Sequence, residues 1–124
     1  MNSAIRDLLQ TGIDSVEQCE MIVSMSNQRS RWWSAQELAA ELYLAASPTG
    51  RDLEVLATRG LLEIRLGNDV QYRFAPASPE LERAAAVLAE MYRTQRVDVL
   101  SYIVRRKGRA IQHFAEAFDF RKGH

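Results

Sequence analysis

The stretch SPTGRDLEVLATRGLLEI, from Ser47 to Ile64, changes period in mid-course and constrains the fold more tightly than anything else in the chain. Leu53, Leu56 and Ala57 recur at helical spacing, Gly60 interrupts them, and Leu62 and Ile64 then alternate with Glu63 as in a strand. Ser47 offers a helix cap, Pro48 suits the first helical position, and Gly60 suits the residue just past the end. A short helix that stops on a glycine therefore runs directly into a strand.

That strand opens a hairpin whose register follows from its alternation. Leu62, Ile64 and Leu66 alternate with Glu63 and Arg65, and Val70, Tyr72 and Phe74 alternate with Gln71 and Arg73. A three-residue Gly67-Asn68-Asp69 loop pairs Leu66 with Val70, Ile64 with Tyr72 and Leu62 with Phe74, and sets Glu63 against Arg73. A two-residue loop would put Leu66 opposite Gln71 and mix the two faces. The register predicts Ile64 beside Tyr72 on the buried face.

Upstream, residues 3–10 fit a short lead-in helix, ended by Thr11 and Gly12. Ser15 and Gln18 then have capping-box spacing at the head of a helix whose buried stripe is Val16, Cys19, Ile22 and Val23. Cys19 reads as a small core residue. Trp32 and Trp33 lie in an extended segment and point to opposite sides, one into the core and one over its rim. Ser34 and Glu37 form a second capping box before the helix carrying Leu38 and Leu42.

Downstream, Ser78 and Pro79 open a helical pattern expected to reach about Arg106, about 28 residues or roughly 42 Å at 1.5 Å per residue. Leu81, Ala85, Leu88, Tyr92, Gln95, Val99 and Tyr102 fall near a coiled-coil rhythm along it. So long an apolar stripe exceeds what a small body can cover, and Leu81, Leu88, Tyr92, Val99 and Ile103 are the expected dimerisation residues. Gly108 ends the pattern, and AIQHFAEAF supplies a last amphipathic piece.

The 124 residues carry no net formal charge, but the charge is unevenly spread. Residues 1–90 hold eight basic and thirteen acidic side chains, whereas residues 91–124 hold eight and three. Arg105, Arg106, Lys107 and Arg109 read as a solvated helix end or a patch for an anionic partner. One cysteine cannot form an internal disulfide, no apolar run approaches a membrane span, and the first residues lack a signal-peptide pattern. A cytoplasmic setting is expected. With two histidines and no metal-ligand spacing, phosphate loop or nucleophile elbow, neither a cofactor nor enzymatic activity is expected.

The order helix, extended RWW, helix, turn, helix, hairpin, long helix resembles the winged helix-turn-helix of bacterial transcription regulators over Ser15 to Phe74. LEVLATRGLLEI is the most specific part, and YRTQRVDVL…FAEAF is similar to small bacterial winged-helix proteins of no known function. The expected fold is mainly α with a β-hairpin wing (α+β): a winged helix-turn-helix domain over 1–76 and a C-terminal helical dimerisation segment over 77–124. The resemblance implies that the Pro48–Arg59 helix enters the major groove of double-stranded DNA. Turning Leu53, Leu56 and Ala57 inward leaves Pro48, Arg51, Val55, Thr58 and Arg59 outward, with Thr49 at the leading end and Arg65 and Arg73 on the outer face of the wing. Asp52 and Glu54 on the same helix oppose phosphate, so two readings stand: a homodimeric DNA-binding regulator, or a protein-binding adaptor without DNA contact.

Overall fold

The computed structural model describes residues 13–104. Helix α1 (Val16–Ser26) leads to the short strand β1 (Trp33–Ser34), then to α2 (Ala35–Leu42), α3 (Ala46–Thr58), the hairpin strands β2 (Leu62–Leu66) and β3 (Val70–Phe74), and α4 (Pro79–Thr94). A further helical run covers 96–104. The lead-in helix, the basic run beginning at Arg105 and the AIQHFAEAF piece lie outside the described residues.

Local chemistry starts three of the four named helices where the side chains predict. Ser34 Oγ accepts from Glu37 N–H (3.1 Å) while the Glu37 carboxylate accepts from Ser34 N–H (2.9 Å), a complete capping box. Ser15 and Ser78 cap α1 and α4 in the same way, accepting from Gln18 N–H and Leu81 N–H, each at 3.1 Å. The Gln18 side chain differs from a capping box: its Oε1 takes Asp14 N–H (3.0 Å) rather than Ser15 N–H. Helix α3 begins earlier than expected, at Ala46, with no side-chain cap. Pro48 therefore sits in the first turn but not at its first position, a place where its missing N–H still leaves no bond unmade.

At the far end of α3, Leu61 N–H reaches Leu56 O (3.1 Å) and Gly60 N–H reaches Ala57 O (3.0 Å), the paired bonds of a Schellman motif. Gly60 has φ +85°, and a Cβ there would meet Ala77 Cβ and Leu81 Cδ1 at 3.4 Å. The glycine thus reverses the chain into the wing beneath the start of α4.

The hairpin has the expected register: Leu62 with Phe74, Glu63 with Arg73, Ile64 with Tyr72, Leu66 with Val70. Strand β1 adds to β3 through Trp33 opposite Tyr72, giving the antiparallel order β1-β3-β2. Burial departs from expectation. Tyr72 is 4% exposed, but Ile64 is 48% and Leu66 78% exposed, because β2 is an edge strand and the hairpin projects past the helices that cover its base.

One core unites these elements. Ile13, Cys19, Met21, Ile22 and Met25 from the α1 region meet Trp33, Leu38, Leu53, Leu56, Leu61, Tyr72 and Phe74, with Val16 and Val23 at the margin. Ala84, Ala85 and Leu88 of α4 join the same cluster.

The expected unbroken helix to about Arg106 stops at Gln95, which leaves helical backbone (φ −135°, ψ 47°). Thr94 Oγ1 turns back to Glu90 O (2.9 Å), and Gln95 O accepts from Asp98 N–H (3.1 Å) and Val99 N–H (3.3 Å), starting a new helical turn. Val99 and Ile103, 0% and 1% exposed, then belong to the chain's own core, as does Leu88 at 0%. The expectation that these three are free to face a partner is corrected: the break lets the protomer bury what a straight helix would have exposed. Leu81 and Tyr92 are half-buried against that core.

Candidate nucleic-acid interface

Helix α3 is oriented by what it buries. Thr49, Leu53 and Leu56 stand one and two turns apart on its inner side, and Gly50 faces α2, where an added Cβ would meet Ala35 Cβ at 3.5 Å, an ordinary van der Waals contact. Thr49 is 1% exposed, and its hydroxyl donates to Ala45 O (2.8 Å). Its expected place at the leading edge of the interface is thereby corrected. The signal was present in the spacing, since Thr49 precedes Leu53 by four residues and Leu56 by seven.

The outward face keeps Ser47, Arg51, Glu54 and Thr58 exposed, with Val55 half-buried beside them. Arg51 reaches only its neighbour Ser47 (Nη1 to Oγ, 3.2 Å), so its guanidinium remains on the surface. Thr58 Oγ1 is turned back to Glu54 O (2.9 Å). Arg59, at the helix end, is drawn to Asp14 (3.2 Å) and lies apart from the leading turn.

Asp52 is not presented outward as the charge pattern alone suggests. Its Oδ1 accepts from Gln18 Nε2 (3.0 Å), and Gln18 is itself 3% exposed. One buried amide thus ties the start of α1 to the middle of α3, because Gln18 also takes Asp14 N–H. No periodicity reports this contact, since its partners are 34 residues apart. Among the acidic groups of α3, Glu54 is the exposed one.

The wing has two unlike faces. On the outer one, Trp32 lies under two guanidiniums, Arg65 at 4.4 Å and Arg73 at 4.5 Å from the ring centroid. Arg65 also donates to Gln71 Oε1 from Nε (3.1 Å), and Arg73 pairs with Glu63 (2.9 Å). Trp33, its neighbour, is fully buried, so the two indoles do divide between rim and core. The other face carries Ile64, Leu66 and Val70, all substantially exposed at the tip.

Cys19 is wholly buried, and burial, with Glu20 nearby, pushes its thiol up to about 12 against a weaker opposing pull from Arg96. The thiolate required for attack or metal binding is thus suppressed. Among the described residues no group of three or more metal-binding side chains occurs, and no helix is long and apolar enough to cross a membrane.

Two helices joined by a tight turn, followed by a two-stranded wing and stitched by a short β1, make this a winged helix-turn-helix protein. No family model and no curated relative matches the chain. Among solved structures it is similar to reduced HlyU from Vibrio cholerae N16961, with 22% identity, 75% of this chain and 90% of that chain covered, and a TM-score of 0.54. It is also similar to the M. tuberculosis transcriptional regulator MosR, with 21% identity, 93% and 85% covered, and a TM-score of 0.56. These likenesses concern the fold.

Proposed function

We propose that the chain is a DNA-binding transcription regulator that acts as a homodimer, with α3 in the major groove and the wing on the backbone. The observation that carries this reading is the fate of Asp52. Its hydrogen bond to Gln18 draws it off the outward face and leaves Arg51 and Ser47 at the head of that face. The main objection to DNA, two carboxylates aimed at phosphate, is reduced to Glu54. The likeness to MosR, described as a transcriptional regulator, supports the same reading. Two copies would place their α3 helices about 34 Å apart, one DNA turn, or a multiple of it.

Dimerisation is proposed through the C-terminal helical segments. Leu81 and Tyr92 remain half-exposed there, and Val97 (76% exposed), Leu100 and Val104 (58%) line an open apolar surface on the run 96–104. Replacement of Arg51 by Ala tests the reading at the helix. Binding to a preferred duplex should weaken by about 1–3 kcal/mol, with relaxed sequence preference, in a competition assay. Unchanged affinity and preference would remove Arg51 from the interface.

A specific observation favours the second reading, a protein-binding adaptor. The wing tip exposes Ile64, Leu66 and Val70 together, an apolar surface of the kind proteins dock on. Failure of the wild-type chain to bind duplex DNA at low salt would place this reading first.

A further inference from the structure

We propose that Trp32 is the positioning residue of a two-arginine phosphate clamp on the outer wing face, an inference that rests on the DNA-binding reading above. Trp33 pairs with Tyr72 and points into the core, so Trp32, one residue earlier, is set on the opposite side of the sheet. There a single indole carries both the Arg65 and the Arg73 guanidinium, at 4.4 and 4.5 Å from its centroid. Two cations gathered on one ring repel each other in the free protein. The ring's negative face and the flanking Gln71 and Glu63 oppose that repulsion only in part.

With Glu63 paired to Arg73, the cluster keeps one uncompensated positive charge, which a phosphodiester group balances. The hydrogen bonds to Gln71 use two N–H groups of Arg65, and the bond to Glu63 uses one of Arg73, so most of the ten guanidinium donors are left for an anion. The wing follows α3 after only Arg59, Gly60 and Leu61, so backbone flanking a groove that holds α3 passes the wing. The indole acts through the arginines. It limits the rotamers of two long side chains, so less freedom is lost when phosphate is bound.

The test uses the full chain and a labelled random-sequence duplex, with affinity measured by anisotropy across a salt series. Trp32→Leu should weaken binding about two- to fivefold for each stack released. It should also make the salt dependence shallower by about 0.9 for each phosphate no longer neutralised. Arg65→Gln and Arg73→Gln should each flatten the slope likewise, while Trp32→Phe, which keeps an aromatic face, should retain it. A folded Trp32→Leu variant with the wild-type slope, beside arginine variants that flatten it, would overturn the clamp and leave the DNA reading intact. A wild-type chain that does not bind duplex would overturn both. Should Trp32→Leu unfold, tryptophan emission of the free arginine variants decides: a changed spectrum supports the stack, and an unchanged one overturns it.

Discussion

Tyr43 and Gly60 occupy equivalent places at the ends of successive helices. Leu44 N–H bonds Ala39 O (2.8 Å) and Tyr43 N–H bonds Ala40 O (3.4 Å), repeating the pattern that Leu61 and Gly60 make on α3. Gly60 adopts φ +85° without a Cβ to strain, whereas Tyr43 adopts φ 57° with one. Left-handed backbone costs an L-residue roughly 1–2 kcal/mol, against about 0.5–1 for glycine's extra freedom in the unfolded chain. Since the Tyr43 side chain is 96% exposed, removing it deletes no core packing. Tyr43→Gly should therefore stabilise the fold by about 0.5–1 kcal/mol and raise Tm in a thermal melt. A lowered Tm would mean that the tyrosine makes a contact its exposure conceals.

The helix ends also set the response of the elements to acid. The Ser34 N–H, with the Ser34 hydroxyl and Arg31 adding to it, holds the Glu37 carboxyl below its ordinary 4.5. A hydrogen bond from Arg29, joining the α1–β1 connection to α4, does the same for Glu82. A carboxyl lowered on folding contributes stability that is full above its unfolded value and is lost as pH falls through the folded one. Melts from about pH 7 to about pH 3 should show Tm falling below about pH 4.5, and falling less in Glu37→Gln, which keeps a capping oxygen but cannot protonate. Parallel curves for the two proteins would contradict this role. Such caps were legible from sequence because both partners lie within four residues, as was the wing register, because period two allows one consistent pairing of Leu62–Leu66 with Val70–Phe74. The Gln18–Asp52 bond and the stacking of Arg65 and Arg73 on Trp32 were not legible, since each joins segments that meet only after the core has formed, and the break at Gln95 is hidden by an apolar rhythm that runs unbroken through it.

At the scale of the molecule, the break in the last helix decides which apolar residues remain for assembly. Val99 lies in the core and Val97 on the surface, two residues apart on one helical run. Val99→Glu should cost on the order of 3–5 kcal/mol of stability, the penalty of a buried unpaired charge, whereas Val97→Glu should give monomers by light scattering and lose only the concentration-dependent part of Tm. A wild-type chain already monomeric at high micromolar concentration would end the homodimer proposal. Contact with DNA is read out by the salt dependence of binding to a random duplex. Two copies of Arg65 and Arg73, with or without Arg51, neutralise about four to six phosphates, so log K should fall linearly with log salt at a slope between about −3.5 and −5.5. No binding at low salt, or a slope near zero, would contradict the account.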